Sequence, residues 1–421
     1  MITQAGRVRK RPHKQPDKKP HKQPAVAQQT NLEYACRIPD SNLSDAANQR
    51  IARMTFSAHG GEVYALARRL RTSPDKLLDF SSNANVFAEP LTARLVRETP
   101  YPFIHYPDSN AADLIDAVAA HEQVEPDRIL AGNGAAELIW LALQALAPRK
   151  VLFLGPVFTE YVKACHAYDI PYGIMTPPAD QDFTPGPADM QALWDSDADL
   201  VILCTPNNPA AVTYPNIHNM LNMLRAPRVL IDNSYREFLY GTDDYYANNL
   251  RAYHQTLRPG VSLFTLHSFT KFFCCPGIRL GYLMGDRTQL ARIGALRPSW
   301  TVSPFAQVMG RRFLEHIEAY RESIVPLLDA VTHMGRELRR LDCVNPDRVF
   351  EGPGFLCCGL ASRFSSGGVA RALLKRRFIV RDCAGISGMP PGYIRIQARP
   401  GPDSARLLEA LETIAVEGAD S

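Results

Sequence analysis

Tryptophan is scarce in this chain, with 3 in 421 residues, and long hydrophobic runs are missing. No uninterrupted apolar stretch approaches the ~18 residues that would cross a bilayer, so no transmembrane helix is expected. The first 30 residues have no apolar centre, which argues against a secretory signal and for a cytoplasmic protein. None of the 9 cysteines is spaced Cys-x-x-Cys, so neither a zinc site nor a dithiol redox motif is expected. Two vicinal pairs, Cys274-Cys275 and Cys357-Cys358, read as core or loop residues of a reducing compartment. Charge of one sign is also lacking once position is considered. Residues 1–24 hold eight Lys/Arg and one acid, Asp17, so the formal +4 belongs to that stretch and the remainder is slightly acidic. A nucleic-acid function for the body gains no support.

Residues 1–30 are rich in Lys-Pro and Gln-Pro steps and bury too little apolar area to order themselves, which predicts a disordered basic arm. Residues 31–54 read as a transition with one helix around Leu43–Met54. From Ile129 the chain alternates short apolar runs with helical stretches. Lys150–Leu154, Leu200–Cys204, Val229–Ile231, Ser262–Leu266 and Leu280–Met284 are expected strands of a largely parallel sheet covered on both faces. Loops at the strand ends of such a sheet carry the ligand site. Pro304 to about Leu341 reads as one long amphipathic helix or a kinked pair. The last 75 residues alternate strands (Phe355–Gly359, Phe378–Arg381, Tyr393–Gln397) with helices, as a small α+β domain does.

The chemistry centres on Ser268-Phe269-Thr270-Lys271, followed by Pro276-Gly277-Ile278-Arg279-Leu280-Gly281. A lysine just past a strand end can be held out of water, which favours the neutral amine that condenses with an aldehyde. Ser268 and Arg279 flank it with a hydroxyl and a fixed cation, a pair that suits phosphate. Three other strand ends fit the same ligand. Gly132-Asn133-Gly134-Ala135-Ala136 stands between a strand and a helix, where free N–H groups can face a phosphate; by itself it is equally a tight turn. Asp232 ends an apolar run, where a lone aspartate is most often a cap. Cys204-Thr205-Pro206-Asn207-Asn208-Pro209 ends another, and Phe158 follows a third, as a ring that stacks on a ligand or packs in the core.

Together these pieces resemble the fold-type I pyridoxal 5′-phosphate (PLP) enzymes of the aspartate aminotransferase superfamily, over roughly residues 55–415. The resemblance implies an α/β fold: a large domain on a mostly parallel, seven-stranded sheet (residues 86–297) and a small α+β C-terminal domain (298–421). It also implies a segment 55–85 that joins the small domain, with 1–54 as arm and linker. It makes Lys271 the cofactor lysine and Asp232 the partner of the ring nitrogen. Gly134, Ala135, Ala136, Ser268 and Arg279 are implied to hold the phosphate, Asn208 the phenolic oxygen and Phe158 a ring face, with Tyr235 a further cofactor contact. Tyr106 is implied to reach the cofactor of a second subunit, hence a homodimer. Ser-Ala-His-Gly-Gly at 57–61, Leu-Leu-Asp-Phe-Ser at 77–81 and Leu-Ala-Gly-Asn-Gly at 130–134 are similar to the threonine-phosphate decarboxylase family of cobalamin side-chain synthesis, cousins of the histidinol-phosphate aminotransferases. On that likeness Arg395 clamps an α-carboxylate, and His59 and Arg381 hold a substrate phosphate, with Arg399 a further candidate. Decarboxylation of a phosphorylated amino acid is the expected reaction, with amino-group transfer, or a different amino acid in another pathway, as the alternative. A non-catalytic regulator of the same fold would have lost the lysine or the aspartate or gained a DNA-binding domain, and none of these is seen. The chain departs from its relatives at Ala210-Ala211, in the loop of Asn208, and at Asn233-Ser234, Val86, Ser303 and Gly354, which lie on the substrate side of the implied site.

Overall fold

The computed structural model describes residues 45–418 except 53, 55–58, 102 and 216. The basic arm falls outside the described residues, as does much of the Ser-Ala-His-Gly-Gly step, of which His59, Gly60 and Gly61 are described. The described residues fall in one compact unit, Ile38–Ser421. The described residues form thirteen strands: β1 (Leu78–Asp79), β2 (Ile129–Gly132), β3 (Val151–Leu154), β4 (Tyr172–Met175), β5 (Leu200–Cys204), β6 (Arg228–Asp232), β7 (Ser262–Ser268), β8 (Gly281–Gly285), β9 (Val344–Glu351), β10 (Phe355–Leu360), β11 (Phe378–Ile379), β12 (Arg381–Asp382) and β13 (Tyr393–Gln397).

Seven strands form the large sheet in the order β2-β8-β7-β6-β5-β3-β4. All neighbours run parallel except β8, which is antiparallel to both β2 and β7. Val229, Leu230 and Ile231, Leu263 and Leu266, and Val151 and Phe153 are buried, so both sheet faces are covered. That is why these strands read as continuous apolar runs and not as alternating ones. Register places Cys204 beside Asp232, and Ser268 and Gly132 beside Gly281, so the polar ends of β2, β5, β6 and β7 meet along one edge.

A second sheet, β12-β13-β10-β9, is antiparallel, and β1 pairs in parallel with β11 to bring residues 78–85 against it. The backbone continues this join: Gln397 N–H donates to the Phe80 carbonyl at 2.8 Å, and the Gln397 amide to the Ala84 carbonyl at 2.7 Å. Two strands, β4 and β9, were not expected from the sequence. Both are edge strands, with a ladder on one side only, and β9 carries Pro346, which an edge tolerates because its missing N–H is not needed there. The expected long helix after Pro304 is three helices, Pro304–Glu315, Ile317–Arg321 and Ile324–Leu338. Pro326 lies in the first turn of the last one; it has no N–H to give to Glu322, so a continuous helix cannot run through it. Ser303, one of the departures, caps the first of the three by accepting from Ala306 N–H at 3.2 Å.

Candidate active site

The strand ends and the small sheet enclose a cavity of about 230 Å³. His59, Ala135, Ala136, Phe158, Asn208, Asp232, Tyr235, Ser268, Lys271, Arg279, Arg381 and Arg395 all line it. Segments nearly 340 residues apart in sequence therefore converge, because β1 carries residues 59–85 onto the small sheet. Gly134 lies just behind the lining. Its φ of +80° and the Arg279 guanidinium, which would stand 2.5 Å from a Cβ there, require glycine. Arg279 is thus held over the N-terminus of helix Gly134–Leu146, where unpaired backbone donors and the helix dipole favour an anion. Ser268 adds its hydroxyl, bonded to Thr270 Oγ1 at 2.7 Å.

Lys271 begins one turn beyond β7. Its Nζ donates to the Ser82 carbonyl at 2.7 Å. Burial, then the Arg395 and Arg279 guanidiniums, lower its pKa to about 8. A substantial share of the amine is therefore neutral at neutral-to-alkaline pH. Asp232 is 5% exposed; it accepts from Ser234 N–H at 3.0 Å and from the Tyr161 hydroxyl at 3.1 Å. Burial raises its carboxyl above the usual range despite those two bonds. A buried carboxylate in this position is short of a cation, and a protonated ring nitrogen would supply one. The donor set fits PLP: phosphate donors at one end of the cavity, a carboxylate at another, and a neutral-prone lysine with them.

On the remaining side, Arg395 donates to Asn208 Oδ1 and, at 2.6 Å, to the Ser81 carbonyl. Arg381 is its direct neighbour across β12 and β13. Burial, then the Arg395 charge on the neighbouring strand, lowers the Arg381 pKa. Gly60 makes the close approach possible: a Cβ there would lie 2.2 Å from the Ser81 carbonyl oxygen and 3.2 Å from the Arg395 guanidinium. His59 meets the Phe158 ring edge-on at 5.9 Å. The loop after β5 is held by Asn207, which donates to the Pro156 carbonyl at 3.1 Å and whose Oδ1 accepts from Ala210 N–H at 3.1 Å.

Besides Gly134, two expected residues lie outside the cavity lining. Tyr106 is 79% exposed and stacks on Trp300 at 4.5 Å. Arg399 is bound to Asp403 at 3.0 Å and to the Asp79 carbonyl at 3.2 Å, a tie between β1 and the final helix and not an exposed loop charge. Sequence reasoning missed Ser81, Ser82, Cys204 and Tyr161. Only Tyr161 carried a signal, standing three residues after Phe158 on a helix that opens at the strand end. Among the described residues one group has metal-ligating character, His121, Glu122 and Glu237. Arg236 already sits there, 3.2 and 3.0 Å from the two Glu122 oxygens, so a guanidinium takes the cation's place.

Residues 75–414 match the family model for aminotransferase class I and II. Threonine-phosphate decarboxylase of Salmonella typhimurium is 28% identical over 85% of this chain and 96% of its own length. A putative threonine-phosphate decarboxylase of Caldanaerobacter subterraneus is 30% identical over 74% and 84%. A solved decarboxylase structure from Sulfurospirillum multivorans superposes with a TM-score of 0.75 at 22% identity, covering 87% of this chain and 96% of that one. The chain therefore belongs to the class I and II aminotransferase family, with the fold-type I architecture and the pyridoxal 5′-phosphate cofactor of that family.

Proposed function

We propose that this enzyme decarboxylates a phosphorylated amino acid, with O-phosphothreonine the first candidate substrate. The observation that carries the reading is the pair Arg381 and Arg395, set opposite each other on neighbouring strands with His59 lining the same cavity. One anion, an α-carboxylate, needs one guanidinium; two guanidiniums and an imidazole beside a separate cofactor-phosphate site call for a second anion on the substrate. The threonine-phosphate decarboxylases at 28% and 30% identity support that choice.

Arg279, Ser268 and the N–H groups at Gly134, Ala135 and Ala136 would hold the cofactor phosphate, Asp232 its ring nitrogen, Asn208 and Tyr235 its phenolic oxygen, and Phe158 one ring face. Bound there through Lys271, the cofactor supplies a sink for the electron pair released at the substrate Cα. Arg395 and the Arg381–His59 side fix the substrate at two points and so decide which Cα bond lies perpendicular to the ring. If the carboxylate bond does, carbon dioxide would leave and Lys271, released and protonated as the ammonium, would be placed to give a proton to Cα. If the Cα–H bond does, Lys271 moves that proton and the outcome is amino-group transfer. This second reading is favoured by the family match and by histidinol-phosphate aminotransferase relatives, one of them 28% identical over 81% of the chain. Both readings use the same residues, and product analysis separates them.

A homodimer completes the proposal. Phe103, Ile104 and Tyr106 are each about 80% exposed or more, and Trp300 is half-exposed, an apolar cluster unusual for a monomer's surface. A second copy of the chain packed there would cover it and bring Tyr106 toward the partner's cofactor phosphate.

A further inference from the structure

The surroundings of His59 reach beyond the residues that line the cavity. Helix Thr159–Ala167 begins directly after Phe158, and its residues Glu160 and Lys163, three apart, share one face. Glu160 Oε1 lies 2.9 Å from His59 Nε2 and 3.0 Å from Lys163 Nζ, while Lys163 Nζ lies 2.8 Å from the same His59 nitrogen. The other Glu160 oxygen accepts from Trp140 Nε1–H at 2.9 Å. Trp140 stands on helix Gly134–Leu146, whose N-terminus faces the proposed cofactor phosphate. The imidazole is thus braced by a carboxylate and an ammonium, and the carboxylate is pinned to the helix that opens onto the other phosphate site.

The geometry points to Glu160 and Lys163 as positioning residues that hold His59 as a hydrogen-bond donor for the substrate's second anion. Lys163 biases the tautomer by offering a donor to Nε2. A neutral imidazole that accepts from Lys163 at Nε2 carries its proton on Nδ1. A protonated imidazole pairs with Glu160 at Nε2 and also carries a proton on Nδ1. The remaining form, neutral with its proton on Nε2, gives that proton to Glu160 Oε1 at 2.9 Å and leaves Lys163, 2.8 Å from the same nitrogen, without an acceptor on the ring. With Lys163 donating at Nε2, or with the ring protonated, Nδ1 carries a proton that can be given to an anion. Burial, then the Lys163 charge, lowers the imidazole pKa, in keeping with the neutral Nδ1–H form before an anion arrives.

This inference rests on the reading of His59 as a substrate-anion contact, and its test separates the two. The test compares the PLP-loaded protein with His59→Asn, Glu160→Ala, Lys163→Met and Lys163→Arg. The readouts are kcat and KM for O-phosphothreonine, and the inhibition constant of threonine, which offers only the α-carboxylate. Glu160→Ala is decisive in sign. Removing a negative charge near an anion site would by itself lower KM, whereas loss of the brace raises it. The expected result is a rise of about tenfold in KM for Glu160→Ala and Lys163→Met, since each loses a charge-assisted bond. The threonine inhibition constant and kcat should stay near those of the unsubstituted protein, and Lys163→Arg should restore most of the affinity. Cofactor absorbance and melting temperature show that each variant is folded. If His59→Asn raises KM while Glu160→Ala leaves it unchanged or lowers it, the positioning role is overturned and the role of His59 stands. If His59→Asn itself leaves KM unchanged, the substrate reading falls and this inference with it.

Discussion

Arg395 gives the sharpest quantitative expectation. Its side chain is 7% exposed and its guanidinium donates to the Ser81 carbonyl and to Asn208 Oδ1, so the fork is fixed before any ligand arrives. Holding an α-carboxylate in that fork therefore costs little side-chain ordering. Truncating one partner of a buried charge pair costs about 2–5 kcal/mol. At ~1.4 kcal/mol per decade, the lower end of that range is a roughly 30-fold rise in KM for Arg395→Ala. The rise should apply to every amino acid ligand, phosphorylated or not, because all carry the α-carboxylate. Two structural bonds are lost as well, each worth about 1 kcal/mol, so the melting temperature must be followed in parallel. Arg395→Lys keeps the charge but not the fork, and is expected to recover part of the loss. Arg381→Ala should differ in kind: KM should rise for phosphorylated ligands while the inhibition constant of threonine holds. If Arg395→Ala leaves the binding of threonine and phosphothreonine unchanged in a folded protein, the carboxylate clamp is assigned to the wrong residue.

Four further outcomes follow from the site. Cofactor attachment by the apo-protein, trapped with borohydride and followed as label on Lys271, should rise with pH around a midpoint near 8; a midpoint near the ordinary lysine value would refute the desolvated amine. The same depressed pKa means that the unfolded chain binds more protons than the folded one between about 8 and 10.5, so through this group apo-protein stability rises with pH across that window. Asp232→Ala should retain the fold and the Lys271 label but lose roughly 100-fold or more in turnover, the scale of removing one preorganised electrostatic group; near-native turnover would show that another group holds the ring nitrogen. Light scattering should report a dimer, and Tyr106→Ala should weaken PLP affinity; a fully active monomer would refute the role given to Tyr106.

The site was legible in the sequence to the extent that each piece ends a buried parallel strand. Such strands are continuous apolar runs whose polar ends mark the edge where ligands bind; Asp232 ends one such run, while Asn208 and Ser268 stood out by the family motifs that follow two others. Edge strands give no such signal: β9, with Pro346 and Asp347 inside it, reads as a turn. Contacts made by backbone are equally silent. Nothing in the residue types of Ser81 or Ser82 says that their carbonyls hold Arg395 and Lys271; that depends on β1 pairing with β11 across some 300 residues. The brace on His59 was hidden for a different reason. Glu160 and Lys163 at i, i+3 look like an ordinary exposed helix pair, and only the fold shows that their shared face meets His59 and Trp140.

The central claim is that the residues around this cavity direct loss of the carboxylate from a phosphorylated amino acid. The most direct measurement is incubation of the PLP-loaded protein with carboxyl-labelled O-phosphothreonine, in the presence and absence of 2-oxoglutarate, counting carbon dioxide and keto acid together. The account predicts carbon dioxide in equal amount to the phosphorylated amine formed, with no dependence on 2-oxoglutarate. Keto acid that appears only with 2-oxoglutarate, without release of carbon dioxide, would contradict it and make the protein an aminotransferase.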